Sequence, residues 1–298
     1  MLSAPVAAAR NLNAAAESDN NYNRLTTMFK TSSPKIMGIL NVTPDSFSDG
    51  GQFSGIAEAI RQAKNMIADG ADIIDVGGES TRPGALPVAA DEQIRRVIPA
   101  ITAIREMNSA IPISIDTCLS AVAAAAISAG ASIINDISAG IIDPAILPLA
   151  AETEAIIILM HMQGTPQSMQ EQPFYANTVA EVKTALQQRI AAALAAGVQA
   201  GKILIDPGIG FGKRKQDNIA LLAHLKEFVE LGYPLLLGTS RKRFMGSICH
   251  ISEPAELDTA TAVTTALGVM AGVPLFRVHN VKANRQAADV AWAIKQAQ

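Results

Sequence analysis

The sequence predicts an α/β protein built as a single (β/α)8 TIM barrel, and three observations predict it. Eight short runs of Ile, Leu and Val are apolar through their length, as strands covered on both faces must be. Ala-rich stretches of helical character lie between them. Gly70, Gly130, Gly201, Gly232 and Gly272 each fall between a helical stretch and the next strand, where a helix end favours a left-handed residue. Eight βα repeats in about 260 residues fit a closed barrel better than an open doubly wound sheet.

Taken in order, residues 1–20 are rich in Ala and Asn, show no apolar period and are expected to form a poorly ordered extension. The barrel is expected over 21–298, with Tyr22 to Pro34 as a short hairpin closing its bottom. The strands read as KIMGIL (35–40), DIIDVG (72–77), PISID (112–116), SIIND (132–136), IIILM (156–160), KILID (202–206), PLLLG (234–238) and PLFRV (274–278). The helices fall near 56–69, 88–107, 118–129, 144–151, 176–199, 217–231, 255–271 and 282–297.

Composition narrows the class. A chain of 298 residues supports one large core, since barrels of about 250 residues are single domains. Charged residues are 17% of the chain and the net charge is −3, so no basic field recruits nucleic acid or membrane. Any anionic ligand must be held by a few local cations. Cys118 and Cys249 make no disulfide framework, and no charged n-region precedes an apolar h-region. The longest uncharged stretch, Thr259 to Phe276, is broken by Thr, Gly and Pro and reads as a buried helix entering a strand. A reduced, cytoplasmic protein is expected.

In such a barrel the chemistry sits where the strands end. Strand 1 delivers Asn41, strand 3 Asp116, strand 4 Asn135 and Asp136, strand 5 His161 and strand 6 Asp206. Strand 7 delivers Thr239 to Lys242, and strand 8 delivers Arg277, His279 and Asn280. One such group alone reads as a cap for the next helix, and Asp116 before TCLSAVAAAA reads equally well that way. Eight groups on one rim do not. Asp116, Asn135 and Asp206, pointing inward, suit a flat heterocycle with amidine-like N–H donors. Arg82, Lys242, Arg277 and His279, joined by Arg241, form a cationic set. Arg277 and His279 alternate on one strand and share a face, which suits a phosphate or pyrophosphate. The competing reading for each cation is an ion pair with a rim carboxylate such as Glu79 or Asp75. PGIGFGK (207–213) lacks P-loop spacing, so its glycines serve close approach or a sharp turn, and Phe211 is placed to stack on a ring. No His/Cys cluster has zinc spacing. A phosphate-bearing substrate would bring Mg²⁺, with Asn41 as a neutral oxygen ligand. His161, Met160 and Met162 read as core before they read as ligands, and Cys118 as a buried thiol.

The stretches GILNVTPDSFSDGG (38–51), DVGGESTRPG (75–84), SIDT (114–117), IINDISAG (133–140), LMHMQGTPQSMQ (159–170), DPGIGFGK (206–213), GTSRKRF (238–244) and RVHNV (277–281) together resemble the dihydropteroate synthase family of folate biosynthesis. The resemblance spans residues 38–281 and leaves out the N-terminal extension. It implies condensation of 6-hydroxymethyl-7,8-dihydropterin diphosphate with 4-aminobenzoate, giving 7,8-dihydropteroate and pyrophosphate. It implies that Asp116, Asn135, Asp206 and Lys242 hold the pterin, with Met160 in the substrate-binding set. Asn41, Arg277 and His279 would bind the diphosphate and its Mg²⁺, helped by Thr81 and Arg82. Thr81, Arg82, Pro83, Phe211 and Lys242 would frame the aminobenzoate, while Asp45 and Phe47 cover the site. Lys242, Arg82 and Asp116 would carry the catalysis. The resemblance also implies a homodimer, for which the sparsely charged face Ala260, Val263, Leu267, Met270 is the candidate.

Three positions depart from the family pattern: Leu119 where Lys or Arg is frequent, Arg243 where some members carry Ser, and Asn280 where Asp is usual. The rival readings are a pterin-binding methyltransferase domain and a non-catalytic pterin-binding paralogue.

Overall fold

The alternation of side chains along each short strand decides what this barrel encloses. The computed structural model describes residues 29, 33–42, 51–80 and 84–298. Eight strands run β1 Lys35–Asn41, β2 Ile73–Gly77, β3 Ile113–Asp116, β4 Ile133–Asp136, β5 Ile156–Met160, β6 Ile203–Asp206, β7 Leu236–Leu237 and β8 Leu275–Val278. All pairs are parallel, in the order β6-β5-β4-β3-β2-β1-β8-β7. A single bridge, Ile205 with Leu235, joins the two ends of that order and closes the barrel.

The helices are α1 Gly51–Ala68, α2 Ala90–Met107, α3 Ser120–Ser128, α4 Ile146–Glu152, α5 Thr178–Ala195, α6 Lys215–Ala223, α7 Leu225–Val229, α8 Arg243–Cys249, α9 Asp258–Ala271 and α10 Val281–Gln296. Three details differ from the sequence expectation. α5 ends at Ala195, and Gly197 at φ 96°, not Gly201, makes the left-handed stop, while Gly201 lies in a short 3₁₀ turn. The expected helix over 217–231 is two, because the backbone leaves helical geometry at His224 (φ −115°, ψ 24°). α8 follows β7 where only a loop was expected. The other four interval glycines have φ between 82° and 111°, as expected of helix stops.

Two cores result. Outward residues such as Ile36, Leu40, Val76, Ile115 and Phe276 pack with helix residues such as Val97, Ile101, Ile104 and Leu186 in the larger one. Inward residues Met37, Ile73, Ile133, Ile156, Ile158, Leu204, Leu236 and Leu275 fill the barrel interior. Phe29 joins that inner core. It belongs to the segment expected to form a hairpin, most of which, like the 1–20 extension, lies outside the described residues. On β8, Leu275 and Arg277 share the inner face and Phe276 and Val278 the outer. The same period turns Asp75, Asp116, Asn135 and Asp206 inward just above the apolar layer. Register sets neighbours at matching heights: Asp75 with Ser114, Asp116 with Asn135, Met160 with Asp206.

The turn after β6 depends on glycine. Gly208 has φ 67°, and a Cβ there would overlap the His161 carbonyl oxygen. Gly208→Ala is expected to destabilise the fold by about 3 kcal/mol through backbone strain and steric displacement. A urea midpoint unchanged from wild type would refute that.

Candidate active site

Burial of acids and bases at one rim makes this region unlike the rest of the molecule. Asp116, Asn135 and Asp206 end β3, β4 and β6, and all three are buried. Burial pushes the Asp116 carboxyl up to about 7, reinforced by Asp75, Glu79 and Asp136 and opposed by Arg277. Burial also raises Asp206, to about 6, against the Gly208 N–H, which donates to its Oδ1 at 2.7 Å, and the charges of Lys242, Lys213 and Arg277. Asp116 does not cap the following helix, whose N-cap is Leu119 without a side-chain bond.

Arg277 is the hub. Its Nε donates to Asp75 Oδ2 and its Nη2 to Asp116 Oδ2, both at 2.6 Å. Burial works against its charge, but the two carboxylates overcome this and hold the guanidinium beyond its usual range. The ion-pair reading of this cation therefore describes it here, with the diphosphate role left as a proposal. Asn135 Nδ2 also reaches Asp75 Oδ2, at 3.4 Å. Asp75 Oδ1 and Ser114 Oγ below them have no partner among the described residues.

Lys242, half-buried before α8, places Nζ 4.0 Å from the Phe211 ring centroid. Burial lowers its pKa to about 8, helped by Arg277 and opposed by Asp206 and Asp116. Phe211 and Met160 belong to a small apolar cluster with Cys118, Ile137 and Met169. Burial pushes the Cys118 thiol far up, so it is a wall residue and no nucleophile. Beside Asp116 opens a cavity of about 320 Å³, lined also by Glu79, Thr117, Ile137 and Pro166.

His279 is oriented by Ser240, whose Oγ lies 2.8 Å from Nδ1 and accepts the His279 backbone N–H at 3.1 Å. Asn280 caps α10 through the Ala283 N–H and donates Nδ2 to Asp258 Oδ2 at 2.9 Å. Asp258 also receives Arg241 Nε and Nη2, so Arg241 is committed outside the cationic set. An aspartate at 280 would face that carboxylate, so the amide suits this network. Arg243 is exposed at the start of α8. Asn41 ends β1; its Oδ1 and Asp116 Oδ2 both lie within 3.8 Å of where a Cβ on Gly77 would sit. No cluster of three or more His, Cys, Asp or Glu able to hold a metal occurs among the described residues.

Asp45, Phe47, Thr81, Arg82 and Pro83 lie outside the described residues. Sequence reasoning offered Asp75 only as an ion-pair partner for a rim cation, which is its place here, and assigned no role to Ser240 or Lys213. Asp75 was readable from the alternation of β2. Glu79 binds the Val88 N–H and Gln93, tying down the loop after β2 rather than pairing with a rim cation.

The model of the pterin-binding enzyme family matches residues 37–279, and the chain belongs to that family. Among its relatives there are dihydropteroate synthases. The chain is 46% identical to the dihydropteroate synthase of Synechocystis sp., over 87% of this chain and 89% of that one. A solved structure of the Xanthomonas albilineans dihydropteroate synthase with 4-aminobenzoic acid superposes with a TM-score of 0.83 at 43% identity, covering 90% of this chain and 94% of that one. The same enzyme in complex with 7,8-dihydropteroate gives 0.80 at 40% identity, covering 90% and 95%.

Proposed function

We infer that the chain condenses 6-hydroxymethyl-7,8-dihydropterin diphosphate with 4-aminobenzoate, giving 7,8-dihydropteroate and pyrophosphate. It is an enzyme, a transferase of folate synthesis. The observation that carries the reading is the inward trio Asp116, Asn135 and Asp206 beside Lys242, with an apolar wall of Met160 and Phe211 at the same rim. A pterin ring donates N–H groups to the acceptors and lies against that wall. Neither the methyltransferase nor the non-catalytic reading has an observation in its favour.

The carbon–oxygen bond to the diphosphate breaks first, the arylamine nitrogen then bonds to the methylene, and the amine proton leaves to water. The electron-rich pterin shares the charge left on the methylene, so a dissociative step fits. Arg277, His279, Lys242 and Arg82 meet the departing charge. Asn41 is a single neutral oxygen beside the Gly77 gap, which fits Mg²⁺ that keeps its phosphate and water ligands. The ion would neutralise pyrophosphate as it leaves. Thr81, Pro83 and Phe211 frame the aminobenzoate; Asp45 and Phe47 close over it. A neutral arylamine needs positioning more than a strong base.

Because this framing follows diphosphate binding, calorimetry is expected to show no aminobenzoate affinity without pyrophosphate or pterin. Measurable binding alone would remove the ordering. Sulfonamides, as aminobenzoate mimics, would compete there. A homodimer fits the exposed Val263, Leu267 and Met270 on α9. No helix among the described residues is long and apolar enough to cross a membrane, and a cytoplasmic location fits. The test is pyrophosphate release with pterin diphosphate and Mg²⁺. Dependence on 4-aminobenzoate supports the synthase; pterin binding without turnover sinks it.

A further inference from the structure

Lys213 is buried yet forms no ion pair with a carboxylate among the described residues. Its Nζ meets three acceptors: His161 Nδ1 at 3.0 Å, the His161 carbonyl at 3.3 Å and the Phe211 carbonyl at 3.0 Å. Three acceptors match the three protons of an ammonium. Burial, then the Lys213 charge, lower His161 to about 3, so its ring is neutral and offers a bare Nδ1 to Lys213. A buried cation without a counter-ion is costly and calls for a reason.

Position supplies one. Nζ lies 3.3 Å from where a Cβ on Gly208 would sit, and Gly208 donates its N–H to Asp206. The ammonium thus stands directly behind the turn that holds Asp206. Burial lowers Lys213 to about 7 against the pull of Asp206 from β6 and Asp217 on α6, so it carries its charge on the acid side of neutrality; Lys242 before α8 is the other charge nearby, with His161 neutral after β5. Asp206 in turn faces Lys242 and Arg277.

We propose that Lys213 is a positioning residue for the condensation, whose ammonium, fixed by His161 and the 208–211 turn, keeps Asp206 an anion while it accepts the pterin's N–H groups. This rests on the reading of Asp206 as a pterin acceptor. A nearby cation favours the ionised carboxylate, so removing it lets Asp206 take a proton at higher pH. The neutral acid then presents an O–H to a ligand N–H, which is a repulsive contact. Asp206, already raised to about 6, is close enough to neutrality for this to matter.

The test uses the full chain with Lys213→Met and Lys213→Gln. The glutamine keeps an N–H donor for the two carbonyls and removes only the charge. For both variants the acid limb of kcat/KM for the pterin diphosphate is expected to move up by about one pH unit, with KM near pH 6 rising about fivefold and kcat little changed. In an Asp206→Asn background, Lys213→Gln is expected to move nothing in the pH profile of pterin binding. An unmoved limb in Lys213→Gln, with only Lys213→Met losing stability, would make the lysine a mere anchor and overturn the proposal. So would an equal shift without the Asp206 carboxylate. If the wild-type chain releases no pyrophosphate in response to 4-aminobenzoate, the reading of function fails first, and this proposal with it.

Discussion

Lys242→Ala is expected to lower kcat by about 10²–10³-fold, the scale of losing one preorganised charge from a site that excludes water. The ammonium stands over Phe211 and between the fields of Asp206 and Asp116, so its removal takes away both the pterin contact and a charge facing the leaving pyrophosphate. Pyrophosphate release under saturating substrates is the measurement, and residual activity within tenfold of wild type would refute the role. The pH profile should be bell-shaped. Asp206 and Asp116 must lose their protons, at about 6 and about 7, while Lys242 must keep its own, up to about 8. In Lys242→Ala the alkaline limb should disappear.

Arg277→Met should damage both fold and function. It leaves Asp75, fully buried, and Asp116 without their shared counter-charge. Removing one partner of a buried ion pair costs about 3–5 kcal/mol. The sign of the pH dependence follows. Asp116, raised to about 7 by burial, then imposes a penalty that applies at higher pH and fades as it takes up a proton. The loss of stability, read from urea midpoints, should therefore be larger at about pH 8 than at about pH 5. Arg277→Lys should recover stability in part but not the KM for the pterin diphosphate, because an ammonium cannot span both carboxylates as the guanidinium fork does. A variant as stable as wild type at both pH values would refute the pairing.

The barrel was legible because eight apolar runs, each with a helix after it, leave little other topology to adopt. The inward turn of Asp116, Asn135 and Asp206 was legible as well, since strand alternation is a local property. The pairing of Arg277 was legible only as a competing reading: its partners are 202 and 161 positions away in the chain, and only the closed sheet brings them to one height. Gly201 misled because VQAGK looks like a helix end, while the chain had already stopped at Gly197. Lys213 drew no reading of its own, because its burial depends on His161 and the 208–211 turn folding around it. Asn280 is the opposite case. It looked like a loss against the family pattern, yet Asp258 accepts its amide and gives the change a local reason.

The closing joint of the sheet has a mechanical side. β7 has only two residues, and the single Ile205–Leu235 bridge spans the gap to β6. Asp206 ends one lip of that seam and Lys242 follows the other. A ligand gripped by both becomes a rung laid across the weakest joint of the wall. Substrate would then be a structural member as well as a reactant, bracing from inside the joint that has the fewest strand pairings.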